Sequence, residues 1–238
     1  TQHSYAKGVR RLLHYINRNR IGSIRTDVLL EMERESLKKI PDRKYRLPKG
    51  VREFAIKYHD FPLPPRKDET IYQQFVKERA FIGILESTGT RITAALKIKT
   101  VAIDWQADPV KINIIGKGDR EHILRLDGRA AGYLQQWLTE RDKASDYVFP
   151  AMRGNNGFMS DETGRVISRR WINLILGPGY DFTPHAFRHL FITLARDKYG
   201  LEKAQALVEH ISIKTTALYP ESLTEIELDN IYKDIRNQ

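Results

Sequence analysis

Hydrophobic residues recur every three or four positions over most of this chain, the spacing that places them on one face of an α-helix. This pattern predicts helices over residues 4–19, 28–40, 51–59, 68–89, 130–142 and 166–176. Another helix is predicted to begin at Thr183-Pro184, because threonine is a capping residue and proline suits a first turn. Ser222-Leu223-Thr224-Glu225 has the form of a capping box and predicts a last, amphipathic helix.

A different pattern interrupts the helices between residues 101 and 126. Residues 101–105, 110–115 and 121–126 are rich in β-branched side chains and predict three strands. Residues 61–65, Phe-Pro-Leu-Pro-Pro, cannot be helical and predict a linker, whereas residues 152–164 are predicted to form a loop. The predicted fold class is α+β. A small helical domain over residues 1–62 precedes a linker, 63–67, and a mostly helical domain, 68–238, with a small three-stranded antiparallel sheet.

The charge of the chain favours a polyanionic partner. The net charge is +10, and residues 1–62 hold 15 lysines and arginines against 7 acidic residues. A solvated basic surface or a ribosome-type extension is the ordinary alternative. The chain has no cysteine, which excludes disulfides, thiolate metal sites and cysteine nucleophiles. No apolar run approaches the ~20 residues that span a bilayer, and no signal peptide is recognisable, so we expect an intracellular location.

Six residues of the second half could together cleave a phosphodiester. They are Arg91, Lys117, His185, Arg188, His210 and Tyr219. Cleavage without a metal needs cations around the phosphate, a proton donor for the leaving oxygen and an activated nucleophile, and this set supplies all three. Taken alone, Lys117 could be an ordinary turn lysine, and a His-x-x-Arg pair often occurs by chance. His189 is interpreted as a core histidine. The combination predicts a DNA strand transferase.

Four ordered segments carry a family resemblance. Thr88-Gly89-Thr90-Arg91, Gly116-Lys117-Gly118, residues 183–189 and residues 210–219 resemble the motifs of the tyrosine recombinase (phage integrase) family. The resemblance covers about residues 68–221, and residues 4–32 weakly resemble the start of the family's core-binding domain.

The resemblance implies a role for each of the six residues. Arg91 and Arg188 would clamp the non-bridging oxygens of the scissile phosphate. Tyr219 would attack phosphorus and form a 3′-phosphotyrosyl link. His185 would accept or share the tyrosine proton, His210 would hydrogen-bond a phosphate oxygen, and Lys117 would protonate the leaving 5′ oxygen. The resemblance implies neither a metal nor any other cofactor.

The implied partners are double-stranded DNA and further copies of the chain in a tetrameric synapse, with accessory DNA-bending or directionality proteins as additional candidates and no membrane. The candidate DNA-binding residues are Arg10, Arg11, Arg18, Arg20, Lys44, Arg169 and Arg170. The C-terminal helix could dock on a neighbouring protomer, which the resemblance favours, or fold back on its own domain. The implied location is the cytoplasm and nucleoid for a prokaryotic or viral protein, and the nucleus for a eukaryotic one.

Two positions depart from the family pattern, and other functions share its chemistry. The family often has an acidic residue where this chain has Ala94, and commonly a glycine where it has Glu209. A mobile-element integrase or transposase is the predicted role. A type IB topoisomerase-like enzyme, a telomere-resolving enzyme and a non-catalytic DNA-binding regulator are the alternatives. The chain does not begin with methionine, so we expect it to start inside a longer protein that has room for an upstream arm-binding domain.

Overall fold

The computed structural model describes residues 47–115, 121–141, 145–151, 157–207 and 225–236. Its contacts divide the chain into two compact units, Thr1–Arg46 and Leu47–Gln238, and every described residue belongs to the second unit. The sequence analysis expected the boundary about 16 residues later, at the proline-rich segment. The predicted helices over residues 4–19 and 28–40 lie outside the described residues.

Seven α-helices and one sheet make up the described residues. The helices are α1 (Val51–Asp60), α2 (Glu69–Thr88), α3 (Ile92–Leu96), α4 (Gly128–Glu140), α5 (Asp161–Leu176), α6 (His185–Leu207) and α7 (Glu225–Arg236). The strands are β1 (Ile103–Asp104), β2 (Val110–Ile115) and β3 (Glu121–Leu126), which pair antiparallel in the order β1-β2-β3. This arrangement confirms the predicted mostly helical α+β domain with a three-stranded sheet. No helix in the described ranges has the length and apolar character that crossing a membrane requires.

Helix α2 is the centre of the core. Asp68 caps its start, where the carboxylate accepts a hydrogen bond from the Ile71 amide at 3.0 Å. Nearly every residue in the second half of α2 is buried, because α4 packs on one side of the helix and α6 on another. The helix ends at Gly89, which has a left-handed backbone conformation. The core therefore holds rigidly the turn that leads to Arg91.

Helix α1 belongs to this core, although the sequence analysis placed it in the N-terminal domain. Phe54 and Tyr58 are fully buried. The Phe54 ring lies 5.1 Å from the Phe187 ring of α6, and the Tyr58 ring lies 5.7 Å from the Trp171 ring of α5. Aromatic side chains of this size contribute strongly to core stability. The prolines after α1 therefore connect two parts of one core rather than two domains.

Several elements differ from the predictions in their boundaries or in their local geometry. Strand β1 has only two residues, because residues 100–102 form a 3₁₀ turn before it. Helix α5 starts at Asp161, inside the predicted loop, because the Ser160 hydroxyl accepts a hydrogen bond from the Thr163 amide at 3.1 Å and caps the helix. The short helix α3 was not predicted. Helix α6 contains a kink at Gly200, whose φ of 83° is not helical.

Helix α7 lies on its own domain in this single chain. Ile231 is buried beside Phe191, Ala195 and Ala204 of α6. The carboxylate of Asp229 forms ion pairs with Lys111 at 2.8 Å and with Arg125 at 2.5 Å. Burial alone would raise the pKa of Asp229, but hydrogen bonds from the two cations outweigh burial and lower it. Docking on a neighbouring protomer stays a prediction, and the predicted capping box at residues 222–225 lies largely outside the described residues.

Candidate active site

The turn that carries Arg91 is fixed by its own side chains. The Thr88 hydroxyl donates a hydrogen bond to the Ile84 carbonyl at 2.7 Å and accepts one from the Thr90 amide at 3.1 Å. The Gly89 amide closes α2 by donating to the Leu85 carbonyl at 3.0 Å. Thr88 and Thr90 are both buried. Buried hydroxyl and amide groups with satisfied hydrogen bonds hold the backbone in one conformation, so Arg91 leaves the core at a defined point.

Arg188 joins this turn to α6. The first turns of α6 bury Ala186, Phe187 and Leu190, and Arg188 lies among them with only 3% of its surface exposed. Its guanidinium donates a hydrogen bond from Nη1 to the Gly89 carbonyl at 2.9 Å. A buried guanidinium needs several acceptors. The contact with Gly89 therefore brings the backbone of the Arg91 turn and the second candidate arginine together.

Glycine is required at position 89 for two reasons. Its φ of 60° is left-handed, a conformation that other residues adopt only at a cost. A Cβ atom at Gly89 would also lie 2.9 Å from the Cβ of Phe191, closer than real contacts. The atom that it would meet is the root of a side chain on α6, not a flexible end. The turn and α6 therefore approach as closely as they do only because residue 89 has no side chain.

His185 is the first residue of α6, close enough to Arg188 and Arg91 for their charges to act on it. The Ala186 amide donates to the Thr183 carbonyl at 2.8 Å, and the Phe187 amide donates to the Pro184 carbonyl at 3.2 Å, so the chain turns tightly into the helix here. Burial lowers the pKa of His185, and the positive charges of Arg188 and Arg91 lower it further. The neutral imidazole is thereby favoured near pH 7, which is the form that can accept a proton.

His189 was set aside in the sequence analysis as a core histidine, and the structure corrects its position. It is half-buried, and its ring lies 4.5 Å from the His185 ring in an edge-to-face arrangement. The two histidines are one helical turn apart and share a face of α6. The spacing of four in the sequence was the signal that could have identified this neighbour.

The structure describes three of the six predicted catalytic residues, Arg91, His185 and Arg188, and brings them together. Lys117, His210 and Tyr219 lie outside the described residues, and their roles stay predictions. In the part of the chain that is described, no group of three or more histidines and carboxylates is placed to hold a metal ion. The described half of the site is therefore a cluster of two guanidiniums and an imidazole.

Of the predicted DNA-binding residues, only Arg169 and Arg170 are described. Arg169 is exposed on α5. Arg170 instead forms an ion pair with Glu78, a carboxylate on α2 with only 2% of its surface exposed. The Trp171 indole donates to the same carboxylate at 2.9 Å. Because a buried carboxylate needs a cation, Arg170 has a structural partner inside the protein, and its predicted contact with DNA lacks support from this geometry. Arg10, Arg11, Arg18, Arg20 and Lys44 lie outside the described residues.

Comparison with known proteins identifies the family of the chain. The model of the phage integrase family matches residues 68–225, which is more than half of the chain and includes all six predicted catalytic residues. The chain belongs to the phage integrase family. It therefore contains the catalytic domain of a tyrosine recombinase, the class of enzymes that breaks and rejoins DNA.

Individual relatives agree with the family assignment. The chain is 28% identical to tyrosine recombinase XerD of Listeria innocua over 238 residues, which cover 96% of this chain and 73% of the relative. It is 30% identical to tyrosine recombinase XerC of Chlamydia caviae over 146 residues, which cover 60% of this chain and 46% of the relative. Tyrosine recombinases of the XerD and XerC types thus resemble this chain at modest sequence identity.

Solved structures resemble the fold. A XerH recombinase bound to its difH substrate superposes with a TM-score of 0.56 at 20% identity, over 77% of this chain and 48% of that one. The XerA recombinase superposes with a TM-score of 0.55 at 18% identity, over 96% of this chain and 82% of that one. The chain spans about half the length of XerH. At these identities the likeness extends to the fold of the phage integrase family and not to a particular substrate.

Proposed function

We propose that this chain is a site-specific DNA recombinase that cleaves and rejoins double-stranded DNA through a covalent 3′-phosphotyrosine intermediate. The observation that carries the proposal is the arrangement around Gly89, where buried Arg188 and the turn of Arg91 meet beside a histidine with a lowered pKa. Arginine offers planar pairs of donors that match phosphate oxygens. The overall charge of +10 favours the same polyanionic substrate.

The proposed chemistry conserves phosphate ester bonds. The Tyr219 oxygen attacks phosphorus, its proton passes to His185, and one P–O bond forms as the bond to the 5′ oxygen breaks. Lys117 gives a proton to that leaving oxygen, and the reverse steps rejoin the strand. Arg91, Arg188 and His210 stabilise the charge on the non-bridging oxygens.

Rough magnitudes explain why these groups are needed. Ionising a phenol with a pKa of ~10 near pH 7 costs about 4 kcal/mol. A neutral imidazole that accepts the proton and two neighbouring guanidiniums that stabilise the negative charge lower this cost. Positioned proton transfer contributes a factor of roughly 10²–10⁴ in rate.

The finer part of the proposal concerns the biological setting. We infer exchange between two DNA sites within a tetrameric synapse, as expected of a mobile-element integrase or transposase. In that assembly α7 would leave its own domain and dock on a neighbouring protomer. In two related structures XerH is bound to a difH substrate, which supports DNA as the partner at the level of the class. A topoisomerase-like enzyme would rejoin each strand to itself, and a telomere-resolving enzyme would leave hairpins. Product analysis on a plasmid with two target sites therefore separates these functions.

A covalent selection tests the proposal and recovers the target sequence in the same experiment. The chain is incubated with a library of duplexes that carry a randomised core and a nick that prevents rejoining. Protein–DNA adducts are then isolated under denaturing conditions and their DNA is sequenced. We expect an enriched sequence from the wild-type chain, and no adduct from Tyr219→Phe, which loses only the nucleophilic oxygen. Adducts from the phenylalanine variant would refute the nucleophile assignment, and their absence from both proteins would refute the proposed activity.

A further inference from the structure

Arg91 has no fixed partner of its own among the described residues. It is exposed, it precedes the first residue of α3, and its backbone is extended with φ −74° and ψ 145°. Within those residues, no hydrogen bond or ion pair joins its guanidinium to another side chain. The position of the guanidinium therefore depends on the backbone on both sides of Arg91, which is the buried turn over residues 88–90 before it and the first turn of α3 after it.

Helix α3 is too short to determine its own position. It has five residues, and a helix of one turn is not stable in isolation. Ala95 and Leu96 anchor its end in the core. Its beginning, which is next to Arg91, rests on α5. The contacts that hold α3 against α5 therefore fix the chain after Arg91, as the buried turn fixes the chain before it, and limit where the guanidinium can reach.

Two contacts join these helices. Thr93 is the one residue of α3 with a polar side chain, and its hydroxyl donates to the Asp161 carboxylate of α5 at 2.6 Å. A donor paired with a carboxylate forms a stronger hydrogen bond than a neutral pair. In the second contact, the Ile92 side chain lies over Gly164. A Cβ atom at Gly164 would lie 2.8 Å from Ile92 Cδ1, 3.2 Å from Ile92 Cγ1 and 3.0 Å from Phe81 Cζ, so an alanine there would displace the Ile92 side chain, which is next to Arg91.

We propose that Thr93, Asp161 and Gly164 are positioning residues that hold Arg91 against the scissile phosphate. None of them needs to touch DNA, since they act by fixing the first turn of α3. The inference rests on the proposed function, in which Arg91 neutralises a non-bridging oxygen. A displacement of about 1 Å at a catalytic group can lower a rate by a factor of about 10². Loss of these contacts should therefore slow cleavage selectively, at the step where the phosphate charge must be neutralised.

The test compares two substrates. One is the nicked duplex recovered by the covalent selection, and the other is the same duplex with a methylphosphonate at the scissile position. The methylphosphonate lacks the negative charge, so its cleavage depends much less on the exact position of Arg91. Single-turnover adduct formation is measured on denaturing gels for both substrates at saturating protein.

The variants are chosen as matched pairs. Thr93→Val keeps the shape of the side chain and removes its hydroxyl, whereas Thr93→Ser restores the hydroxyl. Gly164→Ala adds the obstructing methyl group. Gly132→Ala is its control, because Gly132 also lies within a helix, α4, but a Cβ there would meet nothing within 4 Å.

We expect Thr93→Val to slow adduct formation roughly tenfold on the phosphate and much less on the methylphosphonate. Gly164→Ala should have a smaller effect in the same direction, because the end of the Ile92 side chain can move away from the added methyl group. Thr93→Ser and Gly132→Ala should react like the wild-type chain on both substrates. An equal loss of rate on the two substrates would overturn the inference, because it would indicate a general structural defect. Unchanged rates on both substrates would also overturn it. Absence of adduct with the wild-type chain would instead refute the proposed function itself.

Discussion

Replacing Gly89 should disrupt both the stability of the catalytic domain and the alignment of its arginines. Gly89→Ala places a residue with a side chain at a φ of 60°. It also puts a Cβ 2.9 Å from Phe191 Cβ and 3.2 Å from Phe191 Cγ. Because the nearest atom is the root of the Phe191 side chain, a rotamer change cannot relieve the contact. The turn must move away from α6, and the Gly89 carbonyl must move with respect to Arg188.

The magnitude follows from two contributions. A left-handed backbone costs an alanine roughly 1–2 kcal/mol relative to glycine, and overpacking a core contact costs about 1–3 kcal/mol. Alanine also restricts the unfolded chain more than glycine does, which offsets about 0.4–1 kcal/mol of these costs. We therefore expect the free energy of unfolding to fall by roughly 1–4.5 kcal/mol. A shift of the Arg188 partner by a few tenths of an ångström or more should also slow adduct formation by a factor of about 10–100.

Tryptophan fluorescence during denaturation by urea measures the stability of the correct unit. The chain has three tryptophans, Trp105, Trp137 and Trp171, and all of them lie in the unit formed by residues 47–238. The transition therefore reports on the catalytic unit alone. Adduct formation on the selected duplex provides the second readout.

Two further variants separate the backbone cost from the contact. Gly89→Asn introduces a residue that tolerates the left-handed conformation but still has a Cβ, so we expect it to be destabilised as well. Gly177→Ala places a Cβ at a φ of 84° and a ψ of 178°, a conformation that essentially only glycine adopts, but the Cβ would meet nothing within 4 Å. It should therefore lower the free energy of unfolding and leave adduct formation by the folded protein unchanged. Wild-type stability and activity in Gly89→Asn would refute the role of the Phe191 contact. Wild-type behaviour of Gly89→Ala would refute the whole argument.

Three further predictions concern chemistry and charge. Lys117→Ala should cleave normal DNA poorly but recover on a duplex with sulfur at the 5′ bridging position, because a thiolate leaves unprotonated; Arg188→Ala should not recover, and equal behaviour of the two variants would contradict the general-acid role. His185 should titrate below its ordinary pKa of about 6.5 in NMR, and its pKa should rise in Arg91→Ala because a positive charge is removed. Because folding lowers this pKa, His185 does not affect the free energy of unfolding above about pH 6.5 and lowers it below that pH. A His185 pKa at or above 6.5 would contradict its predicted position beside the two arginines. Deleting residues 1–46, which hold 12 lysines and arginines against 5 acidic residues, should flatten the salt dependence of DNA binding, and an unchanged slope would contradict a role of this unit in binding.

The deletion ends at residue 46 because the structure places helix α1 in the core of the second unit, which the sequence did not predict. Helix α1 is amphipathic, and prolines follow it, so the pattern alone favours a domain boundary after residue 60. Phe54 and Tyr58 are nevertheless buried against Phe187 and Trp171, which lie more than 100 residues away. A hydrophobic stripe indicates that a helix is covered and does not indicate which surface covers it. Deleting residues 1–62 would therefore open the core.

The sequence alone determined the class of the domain, and it predicted the set of reactive residues. Helical periodicity and β-branched runs depend on neighbouring residues, so they predicted most elements of the described region, and the ordered motifs predicted Arg91, His185 and Arg188. Tertiary contacts decided the remainder. Three contacts join residues that are far apart in the chain. Arg188 donates to the Gly89 carbonyl, Gly89 packs closely on Phe191, and Arg170 forms an ion pair with buried Glu78. Such contacts depend on the packing of helices in three dimensions, which local patterns do not specify.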